Sequence, residues 1–139
     1  MRKANLFRIA QIFFIILFLV PVSGCKPASE RDTVDRLLSY LSSAEYPRIY
    51  QLLTEEARGK ITLTELSQRY DDIYRTIGLT GAACKLAEIK DVDEKHKLAL
   101  FSMTMTTEKL GEFRLDMEAP LVLEGGKWLV DWTSELILP

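Results

Sequence analysis

The chain has 139 residues, 47% of them hydrophobic and 27% charged, with a formal net charge of −2. That length suits one domain, and the composition excludes a disordered or collagen-like chain. The acidic balance argues against a nucleic-acid binder, which requires a basic face.

Arg2, Lys3 and Arg8 precede an uncharged run from Ile9 to Val20, which Pro21 ends. A membrane-crossing helix needs about 20 apolar residues, and this run is shorter. A basic segment, a short apolar core and small residues beyond it read as a secretory signal peptide over residues 1–24. Val22-Ser23-Gly24-Cys25 then resembles the lipobox of bacterial lipoproteins. The resemblance implies diacylglycerol transfer to the Cys25 thiol, cleavage before Cys25 and acylation of the new amine. Two acyl chains suffice for stable anchoring. The expected location is the extracytoplasmic face of the bacterial cell membrane, with Cys25 as the lipidation site.

A mature chain from Cys25 to Pro139 carries 15 Lys and Arg against 20 Asp and Glu, a formal charge of −5. It has no polybasic membrane patch, so the lipid does the tethering. Cys84 becomes the only remaining thiol, which excludes an internal disulfide. With no histidine near it in sequence, Cys84 reads as a small buried hydrophobe rather than a nucleophile.

Residues 25–31 read as a short polar tether and residues 32–139 as the folded domain. Asp32 or Thr33 is the expected cap of a first helix, in which Val34, Leu37, Leu38 and Leu41 form one buried stripe. Pro47 suits the first turn of a second helix, with Ile49, Tyr50, Leu53 and Ala57 facing inward and Gly59 at its end. Thr62 and Glu65 form a capping box for a third helix. Its stripe is Leu63, Leu66, Tyr70, Ile73 and Ile77, and Gly78 stops it.

From Thr80 the period changes to two. Thr80 to Lys90 predicts a strand, Asp91 to Lys95 a charged turn, and Leu98 to Thr106 a strand with Ala99, Phe101, Met103 and Met105 on one face. Glu112 to Glu118 alternates, with Phe113, Leu115 and Met117 opposite Glu112, Arg114, Asp116 and Glu118. Pro120 cannot donate to a ladder, which predicts a bulge or an edge. Leu121 to Leu123 resumes the strand, and Gly125-Gly126 fits a two-residue hairpin turn. A last strand covers Lys127 to Thr133, with Trp128, Val130 and Trp132 on one side. Helices first and antiparallel strands afterward give an α+β domain, three helices on a curved sheet of about four strands.

The sequence carries little chemistry. The single histidine, His96, lies between Lys95 and Lys97 and reads as solvated. There is no Cys-x-x-Cys pair for zinc and no Gly-rich phosphate loop. Ser23-Gly24-Cys25-Lys26 matches Ser-x-x-Lys but straddles the expected cleavage site, and no Ser-Asp-Asn or Lys-Thr-Gly follows. Asp131, between the tryptophans, reads as a sheet-edge hydrogen-bonding group. Met103, Met105 and Met117 read as core filling. No catalytic, metal-binding or cofactor-binding residue is expected.

Three segments together resemble the N-terminal, nuclear-transport-factor-two-like domain of class B penicillin-binding proteins, including the methicillin-resistance type. They are Glu45 through Thr54, Ile61 through Gly78, and Trp128-Leu129-Val130-Asp131-Trp132 through Pro139. The resemblance implies a cone-shaped domain that acts as a non-catalytic, membrane-tethered spacer. In the family this domain lifts a transpeptidase toward peptidoglycan. It also implies cell-wall synthesis proteins or peptidoglycan as partners and a link to the response to beta-lactam antibiotics. The family's catalytic serine and lysine have no counterparts here, so no catalytic residue carries over. The alternative is a small-molecule-binding or enzymatic lipoprotein with a pocket inside the cone; a buried polar group on the inward strand faces would favour it.

Overall fold

Ser29 starts the first helix. Its hydroxyl accepts from Asp32 N–H, and its own N–H donates to Asp32 Oδ2 at 2.9 Å, a reciprocal capping box. The computed structural model describes residues 28–132. The signal segment, Cys25 and the tail from Thr133 lie outside the described residues. Helix α1 spans Glu30–Ser43, so the last residues assigned to the tether are helical. The expected caps have other duties: Asp32 is the box partner, and Thr33 Oγ1 donates to the Trp128 carbonyl at 3.0 Å. Val34, Leu37, Leu38 and Leu41 are buried, as their spacing requires.

The second predicted helix is two helices, α2 over Tyr46–Leu52 and α3 over Glu55–Lys60. The break has a distant cause. Leu53 forms a parallel bridge with Val130, and Thr54 N–H donates to Val130 O at 2.9 Å. Thr54 Oγ1 then caps α3 by accepting from Ala57 N–H. Helix α4, Leu63–Ile77, has the Thr62–Glu65 capping box and ends at Gly78 in the left-handed region (φ 67°). Leu66 and Tyr70 are buried on its stripe, whereas Leu63 is exposed.

Four strands follow as an antiparallel meander in the order β1-β2-β3-β4: Leu79–Asp91, His96–Thr107, Gly111–Glu124 and Lys127–Val130. Register shifts after Leu79 and Leu86 bulge β1, and such bulges bend and twist a sheet. The four helices pack on this curled half-barrel, the α+β cone architecture expected from the sequence.

Pro120 makes no bulge but does lie at a local edge, the second of the two expectations. It lies in a continuous β3, opposite Leu98, with no shift in register against β2. A residue in an antiparallel ladder directs its N–H and C=O to the same side. Pro120 O accepts from Asp131 N–H at 2.9 Å, so the missing donor falls on the β4 side, just where β4 has ended at Val130. No β2–β3 hydrogen bond is lost. Gly125 and Gly126 both have positive φ (56° and 76°) and close the β3–β4 hairpin between paired Glu124 and Lys127.

Candidate functional site

A ligand site inside such a cone would use the concave sheet face. Register places Ala82, Cys84 and Leu86 of β1 on it, with Ala99, Phe101, Met103 and Met105 of β2 and Phe113, Leu115, Met117, Ala119 and Leu121 of β3. Phe101, Met103, Met105 and Leu121 are at most 2% exposed, and they merge with Val34, Ile49, Leu53 and Leu66 from the helices into one core. The methionines fill this core, as expected. Proton-transfer chemistry needs a base within hydrogen-bond reach of substrate, and no carboxylate or imidazole projects from these strand positions.

Besides the buried Thr33, Thr54, Ser102 and Thr107, the interior holds a group of tyrosines. Tyr46, at the start of α2, stacks on Tyr70 of α4 with centroids 5.1 Å apart and planes 10° from parallel. Tyr74, one turn along α4, tilts against both at 6.4 and 5.8 Å. Burial, reinforced by Tyr74 beside each, pushes the Tyr46 and Tyr70 hydroxyls well above the usual phenol range. Burial, with Cys84 nearby, pushes Tyr74 up to about 12. These phenols stay neutral at any physiological pH. The Tyr74 hydroxyl is buried without a partner. The Trp132 indole N–H faces the Tyr70 hydroxyl but closes no hydrogen bond of good geometry.

Cys84 is half-buried, and its backbone N–H donates to Ser42 Oγ of α1 at 3.1 Å. Burial raises its thiol pKa, with the Ser42 hydroxyl opposing weakly. A raised thiol pKa means little thiolate and low reactivity. His96 is exposed, with Nδ1 2.8 Å from Asp93 Oδ1 within the turn. Asp131 points away from the tryptophans and accepts from Thr54 Oγ1 at 3.3 Å while its N–H bonds Pro120 O. It is the structural group that its sequence position suggested. Among the described residues, no group of three His, Cys, Asp or Glu side chains converges for a metal, and no helix is long and apolar enough to cross a membrane.

The opposite end of the cone is charged. Lys97, next to His96, puts its Nζ 2.9 Å from Glu30 of α1 and 2.9 Å from Asp91 of β1, and 5.2 Å from the Trp128 ring centroid. The Lys97 hydrogen bond is the largest reason that the Glu30 carboxyl lies below its ordinary value, and the same contacts raise Lys97. Sequence reasoning noted Lys97 only as a charged neighbour of His96, because its partner Glu30 is far away along the chain. Cys25 lies outside the described residues.

A family model for the NTF2-like N-terminal transpeptidase domain matches residues 29–139. No curated protein matches the sequence. Among solved structures, a SEC-C motif containing protein from Psychrobacter arcticus superposes with a TM-score of 0.59 at 8% identity. The match covers 78% of this chain and 62% of that one, so this chain spans less than two thirds of that protein. A ketosteroid isomerase-like protein from Erwinia carotovora atroseptica gives 0.54 at 14% identity over 77% of this chain and 92% of that one. A Campylobacter jejuni protein described as an NTF2-like transpeptidase gives 0.50 at 10% identity, covering 76% and 100%. At these identities the structural likeness establishes the fold alone.

Proposed function

The chain belongs to the NTF2-like N-terminal transpeptidase domain family, and from that premise we propose that it is a non-catalytic, membrane-tethered spacer and interaction domain of the penicillin-binding-protein type. It serves peptidoglycan synthesis and, through it, the response to beta-lactam antibiotics. It is held by lipid on Cys25 at the extracytoplasmic face of the cell membrane, and its partners are cell-wall synthesis proteins or peptidoglycan.

The observation that supports a spacer most directly is the filled interior. Phe101, Met103, Met105 and Leu121 occupy the space that a binding cone would leave open, and the strand positions around them, Ala99, Leu115, Met117 and Ala119, offer no catalytic base. A domain whose interior is packed acts by holding distance and presenting surface. Intact mass spectrometry of the protein taken from its native membrane tests the tether. A diacylglycerol-modified chain starting at Cys25 is expected. An unmodified chain, or membrane association that survives Cys25→Ala unchanged, refutes the lipid anchor. Cross-linking in intact cells tests the partner: a transpeptidase or peptidoglycan fragment attached to this domain is expected, and its absence argues against the cell-wall role.

One observation favours the small-molecule alternative. The buried Tyr74 hydroxyl lacks a partner, as a donor waiting for a ligand would. A thermal-shift screen with small apolar ketones and phenols reads this directly. A hit that raises the melting midpoint of the native protein and fails with Tyr74→Phe establishes that reading.

A further inference from the structure

A cavity of about 580 Å³ opens at the charged end of the cone, in the size range of small-molecule sites. Three separate elements line it: Thr33 and Arg36 from α1, Gln51 and Leu52 from α2, and the Gly125–Leu129 stretch of the last hairpin. Its charge sets it apart. Arg36 and Lys127 contribute two exposed cations, and among the described residues no carboxylate lines the walls. The three other described cavities each include an aspartate. A cavity with only cations on an otherwise acidic domain selects an anion. Its floor adds an indole, Trp128, and two leucines, Leu52 and Leu129, beside the Gln51 amide. The open glycine turn leaves room at the mouth, since a Cβ on either Gly125 or Gly126 would meet nothing within 4 Å.

The position of the cavity identifies the anion. Ala28, the first described residue, lines the mouth. Two residues, Lys26 and Pro27, separate it from Cys25, a reach of at most about 11 Å even when extended. An acyl group on Cys25 therefore holds this end of the cone against the headgroup layer. Arginine, lysine and tryptophan are the side chains suited to that layer.

We propose that this cavity receives the phosphate headgroup of an anionic phospholipid, and so fixes which end of the spacer faces the membrane. Arg36 and Lys127 take the phosphate, Gln51 the headgroup hydroxyls, and Trp128 with Leu52 and Leu129 the glycerol. The inference rests on the lipid-anchored reading of Cys25.

The test uses the full chain reconstituted into vesicles of phosphatidylcholine, alone or with phosphatidylglycerol. The readout is quenching of tryptophan fluorescence by either lipid brominated near its headgroup; Trp132 is buried, so Trp128 carries the signal. Intact mass on the same sample reports acylation of Cys25. The expected result is selective quenching by the brominated phosphatidylglycerol. In the pair of variants Arg36→Gln and Lys127→Gln combined, the phosphatidylglycerol fraction giving half-maximal quenching should rise about tenfold. Both positions are exposed, and the charge-reversed pair Arg36→Glu and Lys127→Glu gives a second variant should the first misfold. Equal quenching by the two lipids on an acylated chain overturns the proposal. Quenching abolished by millimolar glycerol 1-phosphate assigns the cavity to a soluble phosphate and also overturns it. Headgroup-selective quenching on an unacylated chain refutes the anchor while leaving the cavity assignment supported.

Discussion

The two ends of the cone are built on opposite physics. At one end Tyr46, Tyr70 and Tyr74 hold α2 against α4 by burial of neutral rings. At the other, Lys97 ties Glu30 and Asp91 together beneath Trp128, close to a cavity lined by Arg36 and Lys127. Burial is insensitive to salt and scales with the area removed from water. Partly exposed ion pairs are weak and screened. The aromatic end thus supports stability, whereas the charged end is inexpensive to alter and suited to contact with something outside the domain.

The largest expected effect lies at the aromatic end. Tyr70→Ala, which empties a buried ring site between α2 and the core, should cost about 3–5 kcal/mol in denaturant unfolding, equally at low and high salt. A loss under 1 kcal/mol would mean that the cluster is not what holds α4. Lys97→Met breaks both ion pairs and should give a smaller loss that shrinks as salt is added. A salt-independent loss would show that Lys97 acts by packing on Trp128.

The pH limbs sharpen the contrast. Glu30 is held below its ordinary 4.5, so its contribution is present above that value and is lost as pH falls through the lowered one. Tyr74 is raised from 10 to about 12. Its contribution is present below pH 10 and is lost as pH rises from 10 toward 12, and Lys97, also raised, adds to that alkaline limb. The acid limb should flatten in Lys97→Met and the alkaline limb in Tyr74→Phe, read by stability against pH. A Tyr74→Phe chain with the parental alkaline limb would refute the second assignment. At neutral pH, Tyr74→Phe should change stability by no more than about 1 kcal/mol, and toward greater stability, because it removes an unpartnered buried hydroxyl. The smallest effect is expected for His96→Ala, whose ring is exposed and hydrogen-bonds Asp93 within the turn; a measurable loss would give the turn an unrecognised role.

What was legible in the sequence was local. The Thr62–Glu65 box, the Gly78 stop, the alternation of Phe113, Leu115 and Met117, and the Gly125-Gly126 turn each depend on neighbours a few residues away. The family was legible as well, through the Trp128–Trp132 signature and the helical segments. What escaped depends on distance along the chain. The break between α2 and α3 exists because Leu53 and Thr54 pair with Val130. Thr33 could not be excluded as a cap until its hydroxyl was found on Trp128 O. Pro120 stays in register because β4 ends beside it. The Lys97 hub and the cationic cavity assemble side chains from elements that share no sequence motif.

The hydrogen bond from Thr33 to Trp128 has a mechanical consequence. It sets the first turn of α1 directly on β4, and the Leu53–Val130 bridge holds the same edge of that short strand two residues further on. A pull applied between residues 29 and 132 would load this joint first and reach β1 and β2 only after it yields. The domain would respond as a short, stiff link rather than a sheet that unzips, and the four residues of β4 would act as its fuse.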